Sequence, residues 1–153
     1  MDQLTLEWAG VYRHYHAAMM RTITIGEPPA RQLELYDAAK EALEAVHAAL
    51  LPGRPIGEAF DAHADVMDAR NLSEHRLNAC GYSQGTTYAP NWMDWPMLYH
   101  GNPVIAEPDM VFFTHMILFD SDAGVAMTLG ETIRVTQTVS ERLSRSSRNL
   151  IRK

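Results

Sequence analysis

Apolar and polar positions change their period several times along the 153 residues, and each change predicts a different element. The first quarter is strand-like. In TLEWAGVYRHYHAAMMRTITIG, Trp8, Val11, Tyr12, Tyr15, Thr22, Ile23, Thr24 and Ile25 are β-branched or aromatic, with Gly10 read as a bulge or turn and Gly26 as a terminator. After Pro28-Pro29 the period lengthens. Residues 30–51 hold no Gly or Pro, and Leu35, Ala39, Ala42, Leu43, Val46, Ala49 and Leu50 recur at helical spacing. They predict an amphipathic helix ended by Pro52-Gly53. Pro55 is placed as the first-turn proline of a second helix, with Ile56, Ala59, Phe60, His63, Val66 and Met67 on one face. Residues 81–103, rich in Gly, Pro, Trp, Tyr and Asn, follow neither period and are expected to form a long irregular loop. Residues 110–119, 125–128 and 131–136 read as three strands, split by a turn at 120–124 and by Gly130. The final SRSSRNLIRK, with four basic groups, reads as a frayed or partly helical tail. Strands, two helices and again strands, without regular alternation, predict the α+β class.

Composition narrows the function classes. Lys+Arg total 13 against Asp+Glu 19, a formal net charge of −6, which argues against nucleic acid or an anionic membrane as the main partner. At 46% apolar and 21% charged the chain is too apolar to be disordered. No apolar run approaches the roughly 18 residues of a membrane span, and no signal-peptide pattern opens the chain. A single cysteine, Cys80, excludes a disulfide framework and fits a reducing cytoplasm.

Several side chains stand out chemically. The tripeptide His14-Tyr15-His16 on a strand would alternate two imidazoles onto one face, a common way to present metal ligands; the ordinary alternative is one imidazole bonded to backbone and one solvated. His115 interrupts the apolar run VFFTHMIL, where an ionisable group needs a reason, either chemistry or a satisfied core histidine. Glu7 precedes Gly10, and Glu131 follows Gly130 into an apolar strand. Gly81-Tyr82-Ser83-Gln84-Gly85 fits the G-x-S-x-G pattern, but a nucleophile elbow needs a helix next, and Thr-Thr-Tyr-Ala-Pro cannot begin one. Trp92, Trp95 and Tyr99 form either a substrate-facing wall or a loop minicore.

Taken together, the run from Glu7 to Thr22, CGYSQGTTYAPNW, and EPDMVFFTHM followed by TLGETIRVT resemble the catalytic domain of the creatinase/aminopeptidase family, from about Leu4 to Arg145. The resemblance implies a pita-bread fold, with residues 1–145 a partial catalytic domain and 146–153 a flexible basic tail. Metal-dependent members supply two Asp, a His and two Glu as ligands. Carried across, the first Asp falls on Glu7, the second on Ala18, the turn His on Tyr82, the first Glu on His115 and the last Glu on Glu131. A further His falls on Ala89, and a turn glycine on Asp109. Ala18 has no lone pair and a neutral phenol is a poor ligand for a hard divalent ion, so a dinuclear centre is not expected. A single metal held by Glu7, His115 and Glu131 is the alternative.

The GYS-x-G turn followed by Tyr-x-Pro-x-Trp looks like the metal-independent branch that includes creatinase and ectoine hydrolase, which cleave C–N bonds in small polar molecules. That implies His115 or His16 as proton shuttle, Tyr82 as oxyanion or orientation donor, and Glu7 and Glu131 as anchors for a cationic part of the substrate. Trp92 and Trp95 would line the substrate. The partner is a small molecule or dipeptide, no cofactor is needed, and a homodimer is expected. The alternatives are a single-metal Xaa-Pro peptidase relative and a non-catalytic domain kept for binding or assembly. Compared with the domain it resembles, the chain is expected to lack an N-terminal domain and the opening helices and strand of the catalytic domain.

Overall fold

The computed structural model describes residues 2–88 and 90–153. Two long strands, β1 (Asp2–Tyr12) and β2 (Tyr15–Ile25), form an antiparallel hairpin whose two-residue turn, Arg13-His14, lies in the left-handed region at φ 49° and 70°. Helices α1 (Ala30–Ala49) and α2 (Gly57–Ala69) follow. The short strands β3 (Gly81–Ser83) and β4 (Asp94–Met97) precede the second long hairpin, β5 (Val111–Asp120) and β6 (Val125–Val135). β7 (Ser140–Arg142) and β8 (Ile151–Arg152) complete the chain. One sheet runs in the order β1-β2-β6-β5-β3-β4, with β7 beside β6 and β8 beside β2. The β2–β8 pair is parallel and the other pairs are antiparallel.

Both helices cover one face of this sheet. Leu35, Ala38, Ala39, Ala42, Leu43 and Val46 of α1 are wholly buried, and they meet Phe112, Met116 and Leu118 of β5 and Met127, Leu129 and Ile133 of β6 in one apolar cluster. The alanines keep α1 thin enough to lie close, and each fully buried leucine contributes about 1.5–3 kcal/mol. The opposite face stays open, with a smaller cluster of Ala18, Met20, Tyr82 and Phe113. The α+β class and the order of strands, two helices and antiparallel strands stand as expected.

Four local expectations differ. Gly10 is no bulge: the β1–β2 register runs unbroken past Gly10↔Ala17. Gly130 does not split a strand, because β6 pairs with β5 along its whole length and takes Gly130 into that ladder. The region expected as loop contains β3 and β4, added to the free edge of β5 by backbone bonds that need no side-chain period. The basic tail, expected to be flexible, is docked: Lys153 N donates to Thr24 O at 2.9 Å and Gly26 N to Lys153 O at 2.8 Å, fixing β8 beside β2.

What docks the tail is a buried carboxylate. Glu131 is fully buried on the helix-covered face, opposite Thr114. Arg148 Nε donates to its Oε1 at 3.0 Å and Arg148 Nη2 bonds the same oxygen. Arg142 Nε lies 2.9 Å from Oε2 and Arg21 Nη2 3.6 Å from it. Arg21 is itself fixed, donating through Nη1 to Gly130 O (2.7 Å) and Met20 O (2.8 Å) and through Nε to Ser147 O (3.1 Å). Burial pulls the Arg21 guanidinium below its ordinary value, and the Glu131 charge opposes that. Arg148 Nη2 also meets His47 Nδ1 at 3.1 Å. Since arginine only donates, His47 Nδ1 accepts and its Nε2–H is left to donate to Thr114 Oγ1 at 3.1 Å. One carboxylate thus ties β2, β6, β7, α1 and the tail together.

Replacing Glu131 by Ala should lower the unfolding free energy by about 3–5 kcal/mol, because it strands buried guanidinium groups. The urea-unfolding midpoint checks this; a shift within experimental error would show that the cage does not hold the tail.

Candidate functional site

The open face of the sheet is where polar groups converge without helices above them. Residues directly opposite in an antiparallel pair share a face, so the ladder assigns sides. Glu7 pairs with Met20, Met20 with Gly130, and Gly130 with His115; this row crosses β1, β2, β6 and β5 on the open face. Phe113 pairs with Tyr82, which adds β3 to the same face, and Ala18 belongs to the same cluster. Glu7, Ala18, Tyr82 and His115 therefore share the open face. Glu131 does not. It sits one register step from the row, on the far side of the sheet, and the residue facing the site beside His115 is Gly130. A side chain there has no room, because a Cβ on Gly130 would lie 2.8 Å from Phe113 Cζ and 3.0 Å from Thr114 O.

Tyr82 and His115 are 3% and 8% exposed. Tyr82 lies between aromatic neighbours, with ring centroids 5.4 Å from Phe113 and 5.6 Å from His115, and its hydroxyl accepts from Trp92 Nε1 at 3.0 Å. Burial pushes the phenol up to about 12; the Trp92 bond works against this and the Glu7 charge adds to it. Burial holds His115 down at about 4, so the imidazole is neutral at pH 7. Its Nδ1 is buried with no hydrogen-bond partner among the described residues. Partial burial of Glu7 raises its carboxyl above the ordinary value.

Next to this group opens a cavity of about 280 Å³, lined among others by Ala9, His14, His16, Thr87, Asn91 and Trp92. Both histidines of the tripeptide reach it, but by a different route from the one expected. His14 is in the hairpin turn with its ring tilted against Tyr88, centroids 5.2 Å apart, while His16 is on β2 with Nδ1 3.3 Å from Gly85 O and 3.4 Å from Thr87 Oγ1. Trp92 belongs to the site. Trp95 does not: it is 63% exposed on β4, 6.0 Å from the Tyr99 ring and outside this lining. Ser83 is on β3 with no helix after it. Asp109 adopts φ 71°, the left-handed conformation that glycine takes most readily. Ala89 lies outside the described residues.

These donors do not suit a metal centre. The row offers one carboxylate, one buried imidazole and a phenol that stays protonated, with Ala18 and Gly130 contributing no donor atom. A single site of Glu7, His115 and Glu131 is not assembled, because Glu131 faces the other way. Among the described residues, no three His, Cys, Asp or Glu side chains are placed to share a metal ion. The sequence reading missed Gly130 and Phe113 as shapers of this face, and Arg21, Arg142 and Arg148 as the true partners of Glu131. The available signal was a count: a hairpin closing on the 120–125 turn pairs residues whose numbers sum to 245, which puts 115 opposite 130.

Comparison with known proteins gives the same picture of kinship. Residues 1–139 match the model of metallopeptidase family M24. Ectoine hydrolase of Halomonas elongata is 32% identical over 145 residues, covering 94% of this chain and 36% of that protein. A Xaa-Pro dipeptidase of Pyrococcus furiosus is 21% identical over 150 residues, covering 98% of this chain and 42% of its own length. The crystal structure of dipeptidase PepE from Mycobacterium ulcerans superposes with a TM-score of 0.90 at 20% identity, over 99% of this chain and 40% of that one. The chain thus spans about two-fifths of the length of the relatives it matches. No described helix is long and apolar enough to cross a membrane.

Burial makes His47 (about 3), His63 (about 4) and His115 (about 4) hard to protonate when folded, against 6.5 for the free side chain. Between pH 6.5 and 4 the unfolded chain therefore binds more protons, and stability must fall as pH falls, by up to about 1.4 kcal/mol per pH unit for each group. Glu7, raised but largely exposed, acts weakly in the opposite sense. Urea midpoints should drop from pH 7 to pH 5; equal or higher midpoints at pH 5 would contradict the burial of these imidazoles.

Proposed function

Because the chain belongs to metallopeptidase family M24, we propose that it supplies the catalytic face of a hydrolase acting on a C–N bond of a small polar substrate without a dinuclear metal centre. The observation that carries this reading is the composition of the open-face row: Glu7, Ala18, Tyr82, His115 and Gly130 retain acid–base and hydrogen-bonding chemistry where a metal cage would need carboxylates. The relationship to an ectoine hydrolase supports the choice of a small polar substrate, with an amidine or amide as the reacting group.

The geometry supports one role for each residue of the row. Glu7, the one carboxylate of the row, anchors a cationic or amidine part of the substrate. His115 is the proton shuttle: it is neutral, its Nδ1 is uncommitted among the described residues, and a negative group arriving beside it raises its proton affinity toward the working range. Tyr82 donates to the oxygen on which charge develops. His16 is the second candidate shuttle, since it lines the cavity through which substrate approaches. Glu131 stabilises the sheet behind this face and takes no part in binding. The buried free thiol of Cys80 suits a reducing cytoplasm.

One observation favours a second reading, a domain kept for binding or assembly. The edge strand β1 exposes Leu4 (47%), Leu6 (37%) and Trp8 (44%), an apolar strip suited to self-association as a homodimer.

Turnover of cyclic amidines, ureido acids and Xaa-Pro dipeptides by chelator-treated protein separates these readings. Activity on one class should survive chelation and fall by about 10²-fold or more in His115→Gln. Activity that vanishes with chelator and returns with a divalent metal would sink the proposal, and no turnover of any class would favour the binding domain.

A further inference from the structure

The geometry points to Trp92 as the positioning residue that makes Tyr82 a one-way hydrogen-bond donor toward ligand, an inference that rests on the reading of Tyr82 as the site's oxyanion donor. An indole N–H has no lone pair with which to accept. The 3.0 Å contact between Trp92 Nε1 and the Tyr82 hydroxyl therefore has a single polarity: the indole donates and the phenol oxygen accepts. Without that bond a tyrosine hydroxyl can turn either its proton or a lone pair toward a neighbour. With it, a lone pair is committed to Trp92, and the proton has no acceptor within hydrogen-bond reach among the described residues.

The surroundings leave little else to vary. The Tyr82 ring is packed against Phe113 and His115, so the ring plane is set and rotation about the Cζ–O bond is the freedom that remains. Burial and the Glu7 charge keep the phenol protonated, so a proton is there to be presented. Trp92 also walls the cavity shared by His14, His16, Thr87 and Asn91. A ligand entering that cavity thus touches the indole that aims the hydroxyl. The ligand chemistry that fits an uncommitted, buried O–H is an acceptor oxygen, the carbonyl of an amide or the oxyanion that forms from it.

Side-chain spectra test the inference without a substrate. The three tryptophans give three indole N–H signals, and Trp92→Phe identifies the one from Trp92. Tyr82→Phe should move that signal to lower proton shift and speed its exchange with water, leaving Trp8 and Trp95 in place. In the reciprocal experiment with 13Cζ-labelled tyrosine, Trp92→Phe should move the Tyr82 signal. Indole and phenol signals that stay unmoved in these variants overturn the inference. Should a variant fail to fold, hydrogen exchange in the unaltered protein decides: protection of the Trp92 indole supports the bond and exchange at the solvent rate refutes it. On any substrate that is turned over, Trp92→Phe should lower kcat at nearly constant KM, less than Tyr82→Phe does. Shifted spectra with unchanged kcat would leave Trp92 as the orienting donor and instead refute Tyr82 as the oxyanion donor.

Discussion

The pairing of β5 with β6 is the constraint on which the rest of the structure depends. The two strands run in one register from Val111↔Arg134 to Asp120↔Val125. Because side chains alternate, a slip by one residue would exchange the contents of the two faces. The observed register sends Phe112, Met116, Leu118, Leu129 and Ile133 beneath the helices, and Phe113, His115 and Gly130 to the open side. It also sends Glu131 beneath the helices, where its carboxylate is fully buried. A lone buried carboxylate would be intolerable there. It is tolerated because Arg21, Arg142 and Arg148 meet it from β2, β7 and the C-terminal segment. Register and ion cage thus hold each other: the apolar pattern places the carboxylate, and its partners pin the tail across the sheet.

On the open face the same register leaves Glu7 as the one carboxylate of the row, together with His115 and Tyr82. Gly130 leaves a gap, and the Phe113 ring closes over it. Ala18 joins the small apolar cluster beside Met20. What remains is a buried neutral imidazole beside a buried protonated phenol, with a more exposed carboxylate on β1. In such a setting hydrogen bonds gain strength and charge is expensive, which suits the stabilisation of an oxyanion by a fixed donor.

Much of this fold was legible in the sequence. The long first helix, the existence of the second helix and the strand character of the first quarter follow from period and punctuation, although Pro55 precedes the Ile56 cap and is not in the first turn. The family resemblance located four of the residues that share the open face. What was not legible depended on partners distant in sequence. β3 and β4 are recruited by the exposed edge of β5 and carry no period of their own. The basic tail reads as solvated until one sees that Arg148 answers a carboxylate on β6. Glu131 looked like a ligand because motif spacing is degenerate by one residue, and only the cross-strand pairing fixes which residue faces which way. His14 reached the cavity from a turn that the strand pattern concealed.

Central to the proposed function is an open-face row that holds no metal centre. The most direct measurement is metal content of the purified protein after dialysis against zinc, manganese or iron(II). Less than stoichiometric metal, unchanged by His115→Ala, is the expected result. A full equivalent of one metal per chain, lost on replacing Glu7 or His115, would contradict it.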